Sequence, residues 1–231
     1  MSLLLSQARL RRTASVAALA PLLLGARGAA QESGHALIWS LFADAPDRRR
    51  DFLWRETAPG SFLILSERTP EDRHAIFELD PPKPFAPALS VGDRLVFTLR
   101  ANPVVRRSRK SPDAPGKLSA RHDVVMDALR ATPAGDRGAA RAQAITEAGT
   151  GWLGRQSTKA GFEIVEGMLR VDGYQRHFVP RRGTNAPLKF ASVDFDGILT
   201  VRDPACLIAA IAAGFGAAKA FGCGLMLLRR A

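Results

Sequence analysis

The residue pattern predicts an α+β protein made of two successive sandwiches, and three observations carry that expectation. Short apolar-alternating stretches mark strands in both halves of the 231-residue chain. Helical periodicity appears only between some of them. Strands also follow one another directly, as around the Ala58-Pro59-Gly60 turn, which a doubly wound parallel sheet does not allow. The order is β-α-β-β-β, a basic segment, then α-β-β-β-α-β, and it fits two tandem ferredoxin-like (RRM-like) domains. The expected divisions are 1–101, a basic linker at 102–121, and 122–231.

Each element has its own signal. Residues 3–9 read as a first strand and 14–24 as a short helical pattern. In the stretch Gly34–Phe42, His35, Ile38, Trp39 and Phe42 fall at i, i+3, i+4 and i+7, with Ser33 as a reasonable N-cap. That cap would put His35 in the first helical turn. Strands follow at 52–56, 62–67, 74–79 and 94–101, the last two separated by a proline-rich run at 81–87. From 102 to 121 prolines alternate with arginines and lysines, the pattern of a solvated connector or of a loop ordered by an anionic partner. Helical stretches are expected near 122–130 and over 140–159. Strands follow at 162–165, 168–179 and 188–201, and the last helix over 204–213.

Charge narrows the function classes. With 33 Lys and Arg against 22 Asp and Glu the net charge is +11, so nucleic acid or another anionic surface is the expected kind of partner. Two cysteines, Cys206 and Cys223, lie outside any metal-ligand spacing; no metal site, cofactor or disulfide framework is expected. A reducing cytoplasm is the simple inference. Arg11-Arg12 followed by an apolar run resembles a twin-arginine export signal, which would remove the first thirty residues; the strand reading of 3–9 and Pro21 argue against it. No run is long enough to span a bilayer, so no membrane partner is expected.

Residues 214–224 hold four glycines, Gly214, Gly216, Gly222 and Gly224, and one lysine, Lys219, followed by the apolar run 225–228. Such a loop is either a tight helix-to-strand connection or, through successive free N–H groups, an anion-binding concavity. A second basic feature is the hairpin between the strands at 168–179 and 188–201. It carries Arg181 and Arg182 at its tip and Lys189 on its return arm, and it has the shape of a finger aimed at a nucleic-acid groove.

With these residues placed, the chain resembles the CRISPR-associated endoribonuclease CasE family nearly end to end. The clearest segments are Pro81–Leu89, Phe97–Pro103, Arg121–Val125, Phe195–Thr200 and Gly214–Leu228. The resemblance implies two ferredoxin-like domains and metal-free cutting of the CRISPR precursor transcript at the base of each repeat hairpin. It also implies retention of the product and assembly with other Cascade subunits of the type I-E system. The family's catalytic histidine falls on His35, with Trp39 four residues later, and where the family often has a tyrosine this chain has Glu32. The only tyrosine is Tyr174, on the hairpin. RNA contacts are expected from Arg9, Arg11, Arg12, Arg100, Arg181, Arg182, Lys189 and Lys219.

Metal-free RNA cleavage uses the ribose 2′-hydroxyl against the adjacent phosphate and needs a base, an acid and cations. An imidazole serves as base or acid near neutral pH. In a first helical turn the dipole would favour the neutral ring and hence the base role. The alternatives are a half-buried helix histidine packed beside Trp39 and, for the whole chain, an RNA-hairpin-binding subunit without catalysis. His74 falls in a strand pattern, His122 in the basic segment and His177 on a hairpin arm.

Overall fold

The computed structural model describes residues 3–13, 30–43, 49–110, 117–180 and 187–231. The helical pattern expected at 14–24 and the hairpin tip with Arg181 and Arg182 lie outside the described residues.

Two antiparallel sheets organise the molecule. The first contains β1 (Leu4–Leu10), β2 (Phe52–Ala58), β3 (Ser61–Ser66) and β4 (Phe77–Leu79) in the order β2-β3-β1-β4, with the short β5 (Lys83–Pro84) also paired to β1. Helix α1 (Ala30–Ser40) lies between β1 and β2 in the chain; its Leu37 and Ile38, with Leu41 just past its end, are buried on the sheet. Phe52, Trp54, Phe62, Ile64 and Phe77 receive them. The expected amphipathic face was displaced by one position: Ile38 and Phe42 are buried, while His35 and Trp39 lie half-buried on its flank. The helix also begins earlier than Ser33 suggested. His35 is therefore in the second turn, beyond the free N–H groups of a helix start, and the dipole argument for its protonation state falls away.

The second sheet contains β6 (Arg94–Ala101), β9 (Phe162–Val179), β10 (Leu188–Val201) and β11 (Met226–Arg230) in the order β11-β6-β10-β9. On β6 every second residue, from Leu95 through Phe97 and Leu99 to Ala101, is buried, as a strand with one covered face requires. The cover comes from α3 (Arg137–Lys159), through Trp152 and Leu153, and from α4 (Pro204–Ala213), through Leu207 and Ile211. Gly149 allows the close approach of α3, since a Cβ there would sit 2.5 Å from Val171. Truncating a ring such as Phe97 to Ala in this core would cost about 3–5 kcal/mol.

Several expectations change. The strand at 94–101, expected to end the first domain, pairs with β10 and β11 in the second sheet. The segment at 102–121 is no plain linker: β7 (Val104–Lys110) and β8 (Lys117–Asp123) form a two-stranded ribbon leading into the short α2 (Val124–Ala128). The strand expected at 74–79 is only Phe77–Leu79, because Asp72 accepts the N–H groups of His74, Ile76 and Phe77 and holds the preceding residues in a turn. The two strands expected on either side of 166–167 are one, β9, with Gly167 at a φ of 71°. By contrast α4 lies where expected, capped by Asp203 Oδ1 on the Cys206 N–H, opened by Pro204 and ended by Gly214. No described helix is long and apolar enough to cross a membrane.

Candidate functional site

The site forms where the glycine-rich loop of the second sheet meets α1 and β2 of the first. Within that loop, Lys219–Phe221 make one 3₁₀ turn, entered through Ala218 (φ 52°) and left through Gly222 (φ 76°), both left-handed. The turn presents the Ala220 carbonyl to the first sheet. That oxygen accepts from His35 Nδ1 at 2.9 Å and from Trp54 Nε1 at 3.1 Å. Two glycines make room for Trp54, because a Cβ on Gly34 would lie 2.7 Å from its ring and one on Gly222 3.0 Å.

This contact fixes the tautomer. A carbonyl only accepts, so the His35 proton resides on Nδ1, and in the neutral ring Nε2 is left with its lone pair. Trp39 and Phe221 flank the imidazole with centroids 5.9 and 5.5 Å away. A half-exposed, oriented imidazole whose second nitrogen has no partner among the described residues can take a proton from a hydroxyl brought within hydrogen-bond reach.

The loop's glycines serve packing. Added Cβ atoms would meet Leu53 at Gly214 (2.9 Å), the Asn102 carbonyl at Gly216 (2.6 Å) and the Phe215 carbonyl at Gly224 (2.8 Å). The N–H groups of Phe215, Ala217, Phe221 and Gly224 are taken by backbone carbonyls. The anion cradle of successive free N–H groups is thus largely spent on closing the loop. Lys219 Nζ donates to the Ala213 carbonyl at the end of α4 (2.6 Å), and burial with nearby Arg50 lowers its pKa.

The other expected RNA contacts differ in freedom. Arg9 forms a two-pronged ion pair with Asp80, and Arg11 Nε donates to the Phe77 carbonyl at 2.8 Å, while Arg12 is exposed. Arg100 makes two 2.8 Å bonds to Asp194, its cross-strand neighbour, and that hydrogen bonding raises its pKa. Arg9 and Arg100 therefore brace the sheets. Lys189 is exposed and lies 5.9 Å from the centroid of Phe178, which Arg176 approaches from 5.4 Å. Phe178 itself is 45% exposed.

Residues absent from the expected set complete the surroundings. His177 is buried, its Nε2 2.8 Å from Ser192 Oγ, and burial, followed by the charge of Arg100, lowers its pKa. Its ring lies on Phe190 (4.6 Å), Phe190 on Phe221 (5.2 Å), and Phe221 beside His35. Phe221 was visible in the sequence only as an aromatic among glycines; Trp54 and Phe190 carried no signal beyond that of core residues. His74 is exposed and His122 half-buried, both away from this stack. Tyr174 donates to Asp123 Oδ2 (2.9 Å), and burial, reinforced by that carboxylate, raises its pKa. Its hydroxyl belongs to the cap of α2 and not to the His35 cluster.

Residues 3–230 match the CRISPR-associated protein family. The chain is 32% identical over 194 residues to the CRISPR-associated endoribonuclease Cse3 of Thermus thermophilus, covering 77% of this chain and 79% of that one. It is 29% identical over 201 residues to the CRISPR system Cascade subunit CasE of Escherichia coli, covering 84% and 89%. Thermus thermophilus Cse3 bound to an RNA representing a pre-cleavage complex superimposes with a TM-score of 0.65 at 24% identity, over 99% of this chain and 100% of that one. From the sequence match and the shared architecture together, the chain belongs to the CRISPR-associated CasE/Cse3 family.

Proposed function

We propose that this chain is a metal-independent endoribonuclease that binds the CRISPR repeat hairpin, cuts the precursor RNA at its base and stays with the product as a type I-E Cascade subunit. We also infer that both halves are ferredoxin-like. The strand orders β2-β3-β1-β4 and β11-β6-β10-β9 support this, each being the 2-3-1-4 arrangement of its own four strands read from one edge or the other.

The observation that carries the catalytic reading is the Ala220 carbonyl on His35 Nδ1. It supports Nε2 as the base for the ribose 2′-hydroxyl. The resulting 2′-oxygen attacks phosphorus, the bond from phosphorus to the 5′-oxygen breaks, and the products are a 2′,3′-cyclic phosphate and a 5′-hydroxyl. The 5′-oxygen leaves on the side opposite the attack and takes its proton from solvent, since Tyr174 is engaged with Asp123. Lys189, the exposed Phe178 and the hairpin they stand on supply the RNA grip, through phosphate contact and stacking. Incubating the purified protein with repeat RNA in chelator, and identifying the product ends by mass spectrometry, tests the proposal. The expected ends are cyclic phosphate and 5′-hydroxyl; a 3′-hydroxyl with a 5′-phosphate would overturn it.

A second reading, hairpin binding without cleavage, draws on Glu32 in the place of a tyrosine and on the commitment of Tyr174 elsewhere. It requires tight binding and no product after prolonged single-turnover incubation.

A further inference from the structure

The hydrogen bond that sets the His35 tautomer joins residues 185 positions apart, and a third side chain touches both ends of it. Trp54 stands on β2 in the first sheet, 3% exposed, with Phe62 edge-on against its ring at 5.8 Å. Its Nε1–H donates to the same Ala220 oxygen that receives His35 Nδ1. A carbonyl oxygen has two lone pairs, so these two donors fill it. Turning the Ala220 peptide away from His35 would also strip the buried indole N–H of its acceptor, and a buried donor left unpaired carries a desolvation penalty.

The indole also sets the spacing between helix and loop. Its Cη2 and Cζ3 atoms are the wall that an added Cβ would strike from Gly34, at 2.7 and 3.3 Å, and from Gly222, at 3.0 Å each. Gly34 immediately precedes His35 on α1, and Gly222 follows Phe221 in the loop. Helix and loop thus rest on the same edge of one rigid ring. The position of that ring governs the 2.9 Å across which the His35 N–H meets the Ala220 oxygen. Two residues back on the same face of β2, Phe52 lies against Trp39 at 5.4 Å, so β2 supports α1 on both sides of His35.

Packing alone asks for less than this. A buried indole needs an acceptor for its N–H, but any main-chain carbonyl would serve. Sharing the one oxygen that orients an imidazole links the tryptophan to the chemistry.

We propose that Trp54 is a positioning residue for RNA cleavage: its N–H holds the Ala220 carbonyl on His35 Nδ1 and so keeps the Nε2 lone pair available to the ribose hydroxyl. This rests on the nuclease reading above and adds to it a residue buried away from the RNA. The test compares the full chain with W54F and with Trp54 replaced by 3-benzothienylalanine, an isostere in which sulfur stands where the N–H was. Nitrogen-15 spectra of histidine-labelled protein read the His35 tautomer, and single-turnover assays read cleavage and binding of repeat RNA separately. Both replacements should shift neutral His35 toward protonation on Nε2. They should slow cleavage by about 10- to 100-fold, as expected for a misplaced group, with RNA affinity unchanged. Phe62→Leu is the packing control: it removes the ring against Trp54 and leaves the N–H, so it should lower the thermal midpoint without moving the tautomer. A wild-type tautomer and cleavage rate in the benzothienylalanine protein would overturn the proposal, and so would an equal tautomer shift in F62L. A wild type that leaves repeat RNA uncut, with the tautomer still shifting on loss of the N–H, overturns the nuclease reading and supports the role of Trp54 in orienting His35.

Discussion

Two histidines sit at opposite ends of one stack of rings, and their fates differ. His35 is half-exposed and tied through Nδ1 to a main-chain carbonyl, whereas His177 is buried and tied through Nε2 to Ser192. Phe221 and Phe190 lie between them. On the proposed mechanism the same side chain serves chemistry at one end and packing at the other, and what decides is which nitrogen is occupied and whether the other can reach a substrate. Proximity to a site is not enough.

The largest expected effect separates the pair directly. His35→Ala should slow single-turnover RNA cleavage by about 10²-fold or more with RNA affinity near wild type. His177→Ala should act chiefly on stability, costing about 1–3 kcal/mol through an unsatisfied Ser192. Equal losses of cleavage in the two variants, at saturating protein, would break the comparison.

A second contrast lies between neighbours on β9. His177 points inward while Phe178, one residue on, points outward between Arg176 and Lys189. Replacing Phe178 by Ala should weaken binding of repeat RNA by about 5- to 100-fold, the worth of one stacked base. The salt slope should stay the same, because stacking releases no counterions. Anisotropy titrations at several salt concentrations would distinguish this from the loss of a phosphate contact.

Backbone changes sharpen the role of the loop that carries Ala220. Gly222→Ala forces a side chain into a left-handed conformation against the Trp54 ring and should cost about 1–2 kcal/mol. Gly154, inside α3 with nothing within 4 Å of an added Cβ, should instead gain about 0.5–1 kcal/mol on replacement by Ala. Thermal or denaturant unfolding measures both.

The smallest effect concerns pH. Burial holds the folded-state pKa of His177 below its ordinary value of 6.5, so the unfolded chain binds the extra proton first as pH falls. Its contribution to stability is complete above about pH 6.5 and declines below it toward the folded pKa, by no more than about 1.4 kcal/mol per pH unit. His177→Gln keeps a donor for Ser192 and removes the titration, so its unfolding free energy should lose that part of the pH slope.

Local signals were legible in the sequence and long-range pairings were not. Helix α4 was readable to the residue because Asp203, Pro204 and Gly214 punctuate it chemically. Helix α1 was readable by its period, but Ser33 misplaced its start and with it the argument from the helix dipole. Arg100 looked like a free cation, since the carboxylate that binds it, Asp194, is 94 residues away and meets it only through β-sheet register. The same is true of the carbonyl that orients His35, which belongs to a residue 185 positions later. Four glycines in a loop look alike in sequence whether they expose N–H groups or let aromatic and backbone atoms pack closely. Here they do the second.

The central claim is that the Ala220 carbonyl holds His35 with its proton on Nδ1 and Nε2 free to act as base. Nitrogen-15 correlation spectra of histidine-labelled protein, with the His35 signals assigned by their loss in H35A, read the tautomer directly. The account expects neutral His35 to be protonated on Nδ1. A neutral ring protonated on Nε2 would contradict it, because that nitrogen could then accept no proton from the ribose hydroxyl.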